Sequence, residues 1–169
     1  MPISMFDASV PVFTRGLTVL SGLLDKGARY AAEQRIAEAD LVGGRLAPDM
    51  LTLAGQVQRA SDSAKFGAAR LTGTEAPAFA DDETTIAALR ERCAKTIAFL
   101  GQVQRDGFDG SETRSVTFGS KDAPWTMVGD AYLLSFALPN FYFHVTTAYD
   151  ILRHKGVPIG KRDYLDPNR

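Results

Sequence analysis

One cysteine and two histidines in 169 residues are the scarcities that exclude most. A lone Cys93 cannot close an internal disulfide or build a multi-cysteine zinc site. Two histidines, His144 and His154, cannot supply a three-imidazole metal centre from one chain. Charge of one sign is also lacking. The formal net charge is −1, and the basic residues are scattered without aromatic interleaving, so there is no electrostatic footprint for nucleic acid or an anionic membrane. No apolar run reaches the ~20 residues that span a bilayer. Asp7 precedes most of the first apolar stripe, and no basic segment leads into a long apolar run as in a secretory leader. These absences lead us to expect a cytoplasmic protein without nucleic-acid or membrane partners. The phosphate-cradling glycine loop, the nucleophile elbow and the HExxH pattern are missing as well.

What is present is the composition of a globular chain, 45% hydrophobic and 23% charged, long enough for one core. Phe6, Val10, Phe13, Leu17, Leu20 and Leu24 recur at spacings of four and three, the stripe of an amphipathic helix starting near Ser9. A second helix is expected to start near Pro48. Met50, Leu53, Val57, Ala60, Ala64 and Leu71 line one of its faces, and Gly73 stops it. Ala60, Ala64, Gly67 and Ala68 are small enough for close helix approach or for a ligand. A third helix, capped by Asp81 or Asp82 with Glu83 at its positive end, carries Ile86, Leu89, Cys93, Ile97, Leu100 and Val103, and Gly107 and Gly110 end it. On such a stripe Cys93 reads as a buried structural thiol.

Ser115 to Phe118 and Trp125 to Val128 are short runs of β-formers around Gly119, Asp122 and Pro124, which predicts a hairpin. A last helix follows from about Asp130 to Lys155, stopped by Gly156 and Pro158, with a polar tail lying across the bundle. The expected fold is all-α: one four-helix-bundle domain over residues 1–169, with a short β-hairpin before the last helix.

Chemistry concentrates in that last helix. Asn140 and His144 stand one turn apart on one face. Pro139 removes a backbone donor and is expected to free the Ser135 carbonyl beside them. Gln56 lies on an inward line of the second helix and needs a partner. A buried imidazole must satisfy both ring nitrogens, so His144 is either a metal ligand or general base, or a core histidine bonded to Asn140, Gln56, a tyrosine or a carbonyl. His154, at a helix C-terminus, reads as a favourable cation. Asp49, Asp62, Lys65 and Arg70 are assigned to exposed flanks, with Asp62 able to tie to Arg59 or to a tyrosine of the last helix.

Several blocks carry a family resemblance. Arg45-Leu46-Ala47-Pro48-Asp49-Met50, Gln56-Val57 and Ala69-Arg70-Leu71 are three. The longest begins at Leu138-Pro139-Asn140-Phe141-Tyr142-Phe143-His144 and runs through Tyr149, Leu152-Arg153 and Gly156-Val157-Pro158. Over nearly its whole length the chain resembles the DinB/YfiT-like superfamily of metalloenzymes, and within it an uncharacterised bacterial domain family. The resemblance implies a four-helix bundle, often dimeric. It also implies a divalent metal held by one histidine on the second helix and two on the last. Gln56, Asn140 and His144 stand at those positions. Side-chain amides are weak ligands for zinc or nickel. We therefore expect no tightly held metal and no cofactor. Any weakly bound divalent ion would use His144, Asn140 and Gln56.

The leading expectation is a degenerate metal site turned into a polar pocket, with Gln56, Asn140 and His144 around a small molecule. The alternatives are a metal-dependent hydrolase or thiol-dependent transferase of the DinB type, and a structural homodimer without catalysis. A homodimer is expected in any case, with Phe66 and Tyr30 as outward apolar candidates.

Overall fold

The computed structural model describes residues 3–165. The bundle is built from α1 (Val10–Gln34), α3 (Leu53–Thr72), α4 (Ile86–Leu100) and a last helix. The short α2 (Glu38–Val42) bridges the first two. The last helix has three parts: a first turn α5 (Gly129–Ala131), a π-helical turn over Tyr132–Ala137, and α6 (Leu138–His154). The short α7 (Lys161–Leu165) closes the described chain. It lies on α1, held by the Lys26–Asp163 ion pair and by Arg15 donating to the Leu165 carbonyl.

The expected stripes are the core. Val10, Phe13, Leu17, Leu20 and Leu24 of α1 are buried against Leu53, Val57, Leu71, Leu89 and Cys93. The small residues of α3 serve close packing. Phe13 packs over Gly67 and meets Phe141 edge-on with ring centroids 5.1 Å apart, while Phe141 sits over Gly16. An added Cβ at either glycine would collide with a ring, which is how two aromatic side chains fit between three helices.

Two helix starts differ from expectation. α3 begins at Leu53 because Thr52 caps it, its hydroxyl accepting from the Gly55 amide at 3.2 Å. Pro48 lies outside the helix, in the irregular connection before it. α4 begins at Ile86, capped by Thr85, and ends at Leu100 with Gly101 as its C-cap, short of the expected stop at Gly107 and Gly110. Asp81 and Glu83 are recruited elsewhere, by Arg92. The first amide of α4 donates instead to Glu38 Oε1 of α2 at 2.6 Å.

The hairpin pairs β1 (Ser115–Ser120) with β2 (Ala123–Val128), antiparallel, with Phe118 opposite Trp125. Val116 and Phe118 face the core, whereas β2 is largely exposed. Gly119 has φ 96°, which a residue with a side chain adopts only with strain.

Candidate functional site

The site is a polar seam where α3 meets the last helix. Gln56, Ser63 and Arg70 recur every seven residues, so they share one stripe of α3. Facing them in reverse order are His144, Asn140 and Tyr132. Each facing pair is hydrogen-bonded.

The first pair is closed. His144 Nδ1 lies 2.7 Å from Gln56 Oε1. The Gln56 amide nitrogen donates to the Leu51 carbonyl at 3.3 Å, which turns its oxygen toward the ring. Nδ1 must then carry the proton, leaving Nε2 a bare lone pair. His144 is only 9% exposed. Burial, helped by the nearby Arg59 charge, depresses its pKa from 6.5 to about 4. The sign follows from linkage. The unfolded chain binds this proton before the folded one does, so the stability due to a neutral His144 is complete above about pH 6.5 and is lost as pH falls toward 4.

Asn140 is not bonded to His144, although the two share a face. Its amide nitrogen donates to Ser63 Oγ at 2.7 Å, and that hydroxyl donates to the Arg59 carbonyl at 2.7 Å. At the far end, Arg70 Nη1 donates to Tyr132 Oη at 3.1 Å. Burial raises the Tyr132 pKa, with the Arg70 bond opposing, so the phenol is neutral.

A cavity of about 260 Å³ opens between the second and third pairs. Ser63, Phe66 and Arg70 wall it from α3, Tyr132, Phe136 and Asn140 from the last helix, and Phe118 and Gly119 from the hairpin. Of the three residues singled out in sequence, Asn140 lines this cavity.

The π-helical turn helps to aim these side chains. In a 3.6-residue helix, a four-residue spacing drifts around the axis. One wider turn offsets that drift, and Tyr132 and Phe136 remain stacked 24° from parallel with centroids 6.0 Å apart. The turn lies just before Pro139, whose ring and missing N–H disturb the regular hydrogen-bond ladder. Ser135 and Pro139 are exposed and do not border the cavity. A carbonyl freed by the proline is thus open to water rather than part of the site.

The supposed flank residues divide. Lys65 is 2% exposed, because it lies over the Phe66 and Phe79 rings and pairs with Asp62 at 3.0 Å. Asp62 does meet Arg59, and Arg92 too, so three cations share its carboxylate. Arg70 is half-buried among aromatic rings. His154 is exposed in the last helical turn. The Cys93 thiol is buried and its pKa pushed up to about 12, which makes it inert as a nucleophile.

Ser63, Arg70, Tyr132 and Phe136 were not singled out as site residues from the sequence. The seven-residue recurrence on α3 was a usable signal. Apart from Phe66, the aromatic walls come from the hairpin and the π turn, which the α3 pattern cannot disclose.

A family model described as a domain of unknown function, DUF1993, matches residues 5–165. No curated protein matches the chain. Among solved structures, a DinB family member protein from Shewanella denitrificans is 39% identical. The match covers 95% of this chain and 91% of that one, with a TM-score of 0.90.

Proposed function

Since the chain belongs to the DUF1993 family and shares its fold with a DinB family member, we propose that it is a small-molecule binding protein whose ligand enters the cavity beside Asn140. In this reading the superfamily's metal position has become a neutral, hydrogen-bonded seam. The observation that carries it is the Ser63–Asn140 pair on the cavity wall. Asn140 spends one amide hydrogen on Ser63 and keeps its second hydrogen and its oxygen for a ligand. A few placed polar groups in an otherwise apolar wall are how small-molecule sites are commonly built.

The donors present do not fit a tight transition-metal centre. His144 offers one imidazole lone pair at Nε2. The Gln56 oxygen already accepts from Nδ1, which leaves the neutral Asn140 oxygen as the one further donor of the three residues. Two neutral amides in place of two imidazoles leave little affinity for zinc or nickel.

The test is amide chemical-shift mapping with a library of ring-sized fragments, neutral and charged. Shifts centred on Ser63, Phe66, Tyr132 and Asn140 are expected. Asn140→Ala should weaken binding while costing less than about 1 kcal/mol of stability, because water can serve the vacated Ser63 hydroxyl. Silence across the library, or shifts centred elsewhere, would overturn the proposal.

A second reading, a homodimer, draws support from apolar side chains the last helix leaves outside. Leu134, Tyr142 and Phe143 are 60%, 37% and 55% exposed. Phe66 and Tyr30, the candidates named from sequence, are half-buried. Sedimentation at micromolar concentration separates monomer from dimer.

A further inference from the structure

The charges around the cavity balance except at one residue. Arg59, Lys65 and Arg92 pair with Asp62, Asp81 and Glu83. Three cations meet three carboxylates, so that cluster is neutral. Arg70 lines the same cavity and has no carboxylate partner among the described residues. It is held by aromatic rings instead. Its guanidinium carbon lies 4.9 Å from the Phe66 centroid, 5.7 Å from Phe118 and 6.0 Å from Tyr132. Ring faces stabilise a cation without consuming its N–H groups. Arg70 uses one donor on the Tyr132 oxygen and retains the others. Tyr132 accepts in that bond, so its own hydroxyl proton is also available.

We infer that the cavity selects a small aromatic carboxylate, with the carboxylate on Arg70 and the Tyr132 hydroxyl and the ring against Phe66, Phe118 and Phe136. The inference rests on the binding reading above and adds the ligand class to it. A ligand carboxylate supplies the one counter-charge this wall lacks, and guanidinium–carboxylate bonds are both strong and directional. Asp62 also borders the cavity, but its carboxylate is already shared by three cations and adds little repulsion. The apolar remainder follows from the rings of Phe118 and Phe136, which pack against each other with centroids 4.4 Å apart and leave a ligand ring to lie against their outer surface. A volume of about 260 Å³, open to solvent on one side, has room for a ring-sized ligand.

The experiment is an amide chemical-shift titration with benzoate, benzamide and inorganic phosphate, on the wild type and on Arg70→Gln. Benzoate should bind at the cavity at least about tenfold more tightly than its uncharged isostere benzamide, and Arg70→Gln should remove that difference. The comparison within the wild type stands even if the variant folds poorly. Equal binding of benzoate and benzamide at the cavity would overturn the carboxylate assignment and leave the binding reading intact. Phosphate competing as well as benzoate would overturn the aromatic part. Failure of all three probes, with other fragments shifting the same residues, would overturn the ligand class. Failure of every fragment would overturn the binding reading with it.

Discussion

Replacing Gly129 by alanine is expected to destabilise the protein by more than about 3 kcal/mol, beyond ordinary overpacking, because the clash is with backbone. A Cβ at this position would overlap the carbonyl oxygen of Ser111. No rotamer change relieves that, since neither partner is a side chain. The Asp130 amide donates to the Glu112 carbonyl at 3.1 Å, pinning the same two segments together. Gly129 opens the helix that carries Tyr132, Phe136, Asn140 and His144, so a shift here reaches the whole seam. Urea unfolding of Gly129→Ala, with Gly22→Ala as a control in open space on α1, measures the effect. Equal midpoints for the two variants would show that the junction yields more easily than the geometry implies.

The second large effect belongs to Arg92. It is 2% exposed and contacts Asp62 at 3.0 Å, Asp81 and Glu83 at 2.9 Å, and the Ala80 carbonyl at 2.9 Å. Burial alone would lower its pKa, but the bond to Glu83 and the attraction of all three carboxylates raise it on balance. The residue ties the irregular stretch before α4 onto α3. Arg92→Met keeps the stem and removes the charge, leaving the carboxylates facing one another. A loss of about 3–5 kcal/mol is expected, the usual cost of breaking a buried ion pair from one side. Denaturant unfolding at pH 7 measures it, and a loss below about 1 kcal/mol would mean that water solvates the cluster.

The main helices and the hairpin could be read from the sequence because each carries its own local signal. The stripe from Val10 to Leu24, and the runs of β-formers on either side of Gly119, Asp122 and Pro124, need no knowledge of neighbours. Boundaries were less legible. Pro48 and Asp81 carry real start signals, yet Thr52 and Thr85 carry them too. Which one wins depends on distant residues: Arg92 draws off Asp81 and Glu83, and Glu38 serves the Ile86 amide. The five-residue α2 is too short for any period to show. The π turn is hidden because the residues around it are apolar on several faces. Within the site, helical spacing placed Asn140 and His144 on one face, and it was the family pattern that brought Gln56 opposite them. The Arg70–Tyr132 pair was not legible, since its aromatic walls depend on how the hairpin folds back.

A long-range proton–nitrogen NMR spectrum of the His144 ring tests the seam most directly. It would be recorded from pH 3.5 to 8 on protein stripped with a chelator, then repeated with one equivalent of zinc. The account predicts a neutral ring at pH 7 with its proton on Nδ1, a titration midpoint of about 4, and no change on adding zinc. A midpoint near the ordinary 6.5, or an Nε2 signal shifted by stoichiometric zinc, would contradict it.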